Sequence, residues 1–184
     1  MQRRKFVVGL GSLAAGGAAA MGTGAFTTVT ATRNIDVAVA NDSNAYLGLS
    51  GYNGANSDYV TDDGSAGTLS IDLDPSQSVT GGGEGVNPNA LTEIDFVFEI
   101  ANQGTQEVDV TLAKSGANSG LIEFYATDDA SVSDPYSSGT QIDGNSVTLT
   151  SGENVIVSIQ IDTRGSNLSD GDQILDDVTI NAIA

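Results

Sequence analysis

Apolar and polar residues alternate with a period of two along most of this chain. Ile94, Phe96, Phe98 and Ile100 alternate with Asp95, Val97, Glu99 and Ala101. Val108, Val110 and Leu112 alternate with Glu107, Asp109 and Thr111. Val155, Val157, Ile159 and Ile161 alternate with Ile156, Ser158, Gln160 and Asp162, and Val178, Ile180 and Ala182 with Thr179, Asn181 and Ile183. Such alternation turns one side of an extended strand to a core and the other to water. Shorter runs at 45–49, 68–73, 121–126 and 146–150 predict further strands. Residues 26–40 form a Thr/Val-rich stretch with Ile35, Val37 and Val39 on one face.

Turn signals separate these runs. Asn102-Gln103-Gly104-Thr105 has hairpin length and a glycine for a left-handed position, and Ser151-Gly152-Glu153-Asn154 repeats the arrangement. No helical period is sustained, the exception being a turn near 168–175. About nine half-buried strands predict an all-β, antiparallel β-sandwich of jelly-roll-like plan.

The first residues depart from this pattern. Arg3, Arg4 and Lys5 precede a short apolar run from Phe6 to Leu13 and an Ala/Gly stretch to Met21. A basic start, a short apolar segment and small residues read as a signal helix. The run is short and Gly-rich for a membrane span, so contact with a membrane is expected only through the uncleaved leader. Arg3, Arg4 and Phe6 form a twin-arginine export motif, an address read by a receptor. Cleavage is expected after Ala20 or, preferably, between Ala25 and Phe26. The chain then divides into a leader, 1–25, and one β-sandwich domain, 26–184, destined for the exterior or the cell surface.

Charge narrows the function. The chain has 24 acids, six bases, no cysteine, no tryptophan and no histidine. Without Cys and His there is no disulfide frame, thiolate nucleophile, Ser-His-Asp triad or zinc-finger ligand set. The acidity argues against nucleic acid, whose phosphates need Lys and Arg. Beyond the leader only Arg33, Lys114 and Arg164 are cationic. Repulsion of this size is costly in dilute buffer but screened in molar salt, where the Debye length falls to about 3 Å. The composition therefore reads as that of a salt-loving organism's protein.

Within the chain, Arg3-Arg4-Lys5-Phe6 with Gly22-Thr23-Gly24-Ala25-Phe26 resembles the leader of small secreted haloarchaeal proteins of unknown function. The runs from Phe96 to Asn102 and from Gly152 to Thr163 extend that resemblance over most of the chain outside 50–92. The family is similar in plan to exported β-sandwiches of the camelysin and TasA type, some of which are fibre subunits. There the mature N-terminal segment adds as a strand to the next subunit. The junction departs from their aromatic-rich sequence, since Phe26 is followed by Thr27-Thr28-Val29-Thr30.

The resemblance implies a non-enzymatic structural subunit, assembling into a homo-oligomer or filament through 26–40. Residues 27–32 are rich in β-branched side chains and lack Gly and Pro, as a donated strand requires. The competing reading makes the same segment the first strand of its own sandwich. The alternative function is a monomeric module for a ligand or polysaccharide, using Tyr46, Tyr52 and Tyr59 in the early loops.

Candidate chemistry is sparse. Asp170 and Asp172 flank Gly171 as a weak calcium loop, without EF-hand spacing or its distal Glu. No cofactor is otherwise expected. A hydrolase working through two carboxylates lacks a Trp to stack a sugar. Two sequons, Asn41-Asp42-Ser43 and Asn167-Leu168-Ser169, are candidates for glycosylation.

Overall fold

A computed structural model describes Arg33 and residues 40–61, 67–73 and 85–184. The chain divides into two compact units, 1–38 and 39–184. Of the first, only Arg33 is among the described residues, so the leader, the 25/26 junction and the expected strand at 26–40 lie outside them, apart from Arg33 and Ala40.

The second unit is built of antiparallel strands. They are β1 (Leu47–Gly51), β2 (Val60–Thr61), β3 (Ser70–Ile71), β4 (Leu91–Asn102) and β5 (Val108–Ser115). β6 (Ile122–Thr127), β7 (Thr140–Gln141), β8 (Val147–Leu149), β9 (Asn154–Asp162) and β10 (Asp177–Ile183) follow. One short helix, α1 (Pro135–Ser138), precedes β7. The five-stranded sheet has the order β1-β4-β9-β6-β7, the three-stranded sheet β10-β5-β8, and β2 pairs with β3.

The alternating positions supply a core between the two larger sheets. Ile94, Phe98, Ile100, Phe124, Val157 and Ile159 from the first meet Val110, Leu112 and Leu149 from the second. Burying apolar surface on both inner faces stabilises the stack by roughly 25 cal/mol per Å² removed from water. The expected sandwich is present, with ten strands among the described residues.

The two turns expected to close hairpins do something else. β4 and β5 lie in different sheets, and so do β8 and β9, so each turn carries the chain across the sandwich. Asn102 explains the geometry. Only 2% exposed, it donates through Nδ2 to the Gln106 carbonyl (2.7 Å) and to the Leu149 carbonyl in the opposite sheet (2.9 Å). Its Oδ1 accepts from the Gly104 amide at 3.0 Å, and its carbonyl accepts from the Gly152 amide at 2.8 Å. Hydrogen bonding to a buried amide thus locks the two crossovers together, where two-residue hairpin chemistry would have folded each strand back on itself.

A second departure lies within β4. Ile94 stands opposite Ile159, but Phe98 stands opposite Val157, so four steps along β4 answer two along β9. The excess of two residues is even, which returns Ile94, Phe98 and Ile100 to the same face. Phe96, expected on that face, is displaced from it with φ +52° and is half-buried, while Val97 is fully buried instead. The left-handed backbone of Phe96 costs about 1–2 kcal/mol. Its amide donates to Ser158 Oγ at 2.9 Å, and the Val97 carbonyl accepts from the Tyr52 amide at 3.0 Å.

The turn expected near 168–175 is not helical; the chain there is irregular, with a turn at Asp170-Gly171. The helix forms instead at α1, where Asp134 accepts from the amides of Tyr136 (3.1 Å) and Ser137 (3.0 Å) and Pro135 occupies the first turn.

Candidate functional site

The bulge in β4 organises the outer face of the five-stranded sheet. On one side the Phe96 ring meets Tyr52 with ring centroids 6.0 Å apart. On the other, Tyr125 and Tyr136 meet edge to face at 5.5 Å. Tyr136 comes from α1 and reaches back over the sheet, its hydroxyl donating to Asp95 Oδ1 at 2.8 Å. Tyr125 donates to Glu123 Oε2 at 2.6 Å, and Gln160 joins Glu93 at 2.8 Å across neighbouring strands.

These contacts fix the protonation of the phenols. Burial, then the Glu123 hydrogen bond and the Glu123 and Asp143 charges, push Tyr125 up to about 12. Burial, followed by Asp95, raises Tyr136 further. Both hydroxyls stay protonated donors at neutral pH. They cover the sheet and hold α1 to it.

A second polar cluster closes the flank of the sandwich. Lys114 continues the inward phase of Val110 and Leu112 on β5, which would bury an ammonium without a partner. Asp143, only 3% exposed at its side chain, forms an ion pair with it, and Lys114 also donates to the Ile122 carbonyl. Asp143 Oδ1 accepts from the Phe124 amide at 3.3 Å. Beside the pair, Ile142 donates to the Phe124 carbonyl and accepts from the Leu112 amide, both at 2.9 Å, stitching one sheet to the other. This inter-sheet pair is 29 positions apart in sequence, and only the inward phase of a lone lysine hinted at it. Among the described residues, no buried side-chain nitrogen or oxygen lacks a partner.

The residues singled out from sequence are dispersed. Asp170 and Asp172 are exposed, and Asp172 Oδ2 accepts from the Ser169 amide at 2.8 Å. Among the described residues no group of three or more His, Cys, Asp or Glu is placed to hold a metal ion. Arg164 grips Asp162 through Nε (2.8 Å) and Nη2 (2.6 Å), a hydrogen-bonded pairing that holds the Asp162 carboxyl down to about 2.

The three early tyrosines have different settings. Tyr46 is 85% exposed before β1, Tyr52 packs on Phe96 after it, and Tyr59 packs against the core. The sequons differ as well. Asn41 accepts from Asn44 Nδ2 at 2.6 Å beside a 3-10 turn, whereas Asn167 is exposed with φ +60°. Arg3, Arg4, Phe6, Ala25 and Phe26 lie outside the described residues.

Two sheet edges complete the picture. Among the described residues β1 pairs only with β4, and β10 only with β5, in a seven-residue register from Asp177 opposite Ser115 to Ile183 opposite Asp109. Ile183 is 67% exposed. β10 contains no Lys, Pro or register shift, three of the devices that blunt an open edge, and its one charged residue is Asp177 at its start. No helix among the described residues is long and apolar enough to cross a membrane.

No curated protein matches this sequence. A protein family does, over residues 39–184, the whole of the strand-built unit. The chain belongs to that family, DUF1102, a family of proteins of unknown function.

Proposed function

We propose that this protein is a non-enzymatic structural subunit of an extracellular surface or matrix, exported through its Arg3-Arg4 leader and assembled edge to edge into filaments in high salt. The observation that carries this reading is β10, which among the described residues is a seven-residue sheet edge whose one charge, Asp177, stands at its start and which has no Lys, Pro or register shift. An edge of that kind gains a full set of main-chain hydrogen bonds from an added strand. Residues 26–32 supply a β-prone segment for the purpose, and head-to-tail addition does not close, so it grows a fibre. The acidic surface supports a salt-loving source, since it is screened only in concentrated salt.

The test is removal of residues 26–32, followed by sedimentation, melting and electron microscopy in molar salt. Donation to a neighbour predicts a folded monomer without filaments. A truncated chain that no longer folds, together with a full-length chain that sediments as a monomer at high concentration, would overturn strand donation. Exchange of Arg3 and Arg4 for Lys should hold the protein inside the cell; unchanged secretion would exclude the twin-arginine route.

A further inference from the structure

The two sequons are alike in composition and opposite in setting. Asn41-Asp42-Ser43 is wound into a 3-10 turn over Asp42–Asn44. The Asn41 carboxamide oxygen accepts from Asn44 Nδ2, the Asn41 carbonyl accepts from the Asn44 amide at 3.0 Å, and Asp42 Oδ2 accepts from the Leu69 amide at 2.7 Å. Moving Asn41 into an enzyme's cleft would unwind that turn and break its tie to residue 69.

Asn167-Leu168-Ser169 sits in the stretch 163–176, which joins β9 to β10 with neither strand nor helix. Asn167 is exposed in the left-handed region, φ +60°, where its short polar side chain is tolerated and is carried outward at a turn. Among the described residues its carboxamide makes no hydrogen bond, and neither does the Ser169 hydroxyl. Ser169 is anchored by its backbone alone: its amide donates to Asp172 Oδ2 at 2.8 Å and its carbonyl accepts from the Asp172 amide at 3.1 Å. Both groups that a glycosyl transferase must engage are therefore presented outward, on a segment whose displacement breaks no sheet ladder.

From this contrast we infer that Asn167, and not Asn41, is an acceptor for an N-linked glycan, donated by a lipid-phosphate-linked oligosaccharide through an external transferase. The Asn167 amide nitrogen attacks the anomeric carbon of the activated sugar. The nitrogen–carbon bond forms, the bond from that carbon to the lipid phosphate oxygen breaks, and the amide proton leaves to the transferase base. The inference rests on the export reading in one respect: a chain exported folded meets the transferase folded, so only a sequon already accessible in the fold can react.

The experiment has two arms. Protein recovered from the medium or envelope of the source organism is measured by intact mass and glycopeptide mapping, as wild type, Asn167→Gln, Ser169→Ala and Asn41→Gln. One oligosaccharide on Asn167 is expected, absent from the first two variants and retained in the third. An unmodified Asn167 on protein recovered outside the cell would overturn the inference. In the second arm the purified folded chain is incubated with an oligosaccharyl transferase and its lipid-linked donor. Modification confined to Asn167 is expected, and equal or preferential modification of Asn41 would overturn the assignment. A chain found only inside the cell, yet modified at Asn167 in the second arm, would refute export and leave the acceptor assignment standing.

Discussion

The five-stranded and three-stranded sheets start from the same pattern and end in different states. β9 and β10 both alternate apolar with other residues. In β9 every residue from Val155 to Ile159 is buried, those between the core positions included: Ile156 is 5% exposed and Ser158 0%. In β10 even the inward Val178 and Ile180 are only half-buried, and the last three residues are exposed. β9 lies between β4 and β6, with α1 and Tyr136 over its outer face; β10 lies at an edge. Burial follows from neighbours on all four sides, and alternation specifies only one of them. The larger sheet therefore has a strand covered on every side, whereas among the described residues the smaller sheet ends in an exposed edge.

Substitutions can break that comparison. The largest effect is expected for Phe98→Ala, which empties a fully enclosed site in the five-stranded sheet and should cost about 3–5 kcal/mol. Ile180→Ala in β10 should cost well under half of that. Denaturant midpoints of the two variants decide; equal losses would show that β10 is as integral as β4.

Slightly smaller is the expected loss in Lys114→Met, which strands Asp143 as a buried charge and should cost about 3 kcal/mol or more. Because the pair joins the two sheets, Lys114→Met/Asp143→Leu should recover most of that loss. A double variant no better than the single one would mean that the ion pair, and not its volume, sets the spacing of the sheets.

Asp134→Ala removes the cap of α1, the segment that covers the larger sheet, and should lower the denaturant midpoint by less than either of the losses above. The cap carboxylate is held below its ordinary range by hydrogen bonds from Ser137 and Tyr136. Its contribution is therefore present at neutral pH and is lost as pH falls below about 4. The acid limbs of wild type and variant should converge there.

The last effect is absent at neutral pH. Tyr125 is raised from 10.0 to about 12 and Tyr136 is raised further, so the folded chain keeps protons that the unfolded chain releases. Their contribution is whole below pH 10 and declines as pH climbs toward 12. Tyrosinate absorbance should show two late phenols whose ionisation accompanies unfolding. Early, uniform titration of all five tyrosines would mean that the outer face of the larger sheet is as open as β10.

Much of the fold was legible in the sequence. The strands at β4, β5, β6, β8, β9 and β10 follow from period-two alternation, and α1 carried a readable Asp-Pro start that the strand pattern around it obscured. The bulge at Phe96 was not legible, because two inserted residues leave the phase of Ile94, Phe98 and Ile100 unchanged. The sequons were readable as motifs, but their accessibility was not.

The sequence by itself determined an all-β chain, the inward and outward faces of its main strands, and a strongly acidic composition. Those properties arise from neighbours along the chain and from composition. Only the tertiary structure decided which strand lies at the centre and which at the edge, that Asn102 turns two apparent hairpins into crossovers, and that Lys114 meets Asp143. Each of these depends on partners that alternation leaves unspecified: a strand's face is set by its own residues, whereas its neighbours are set by how whole faces can be covered together.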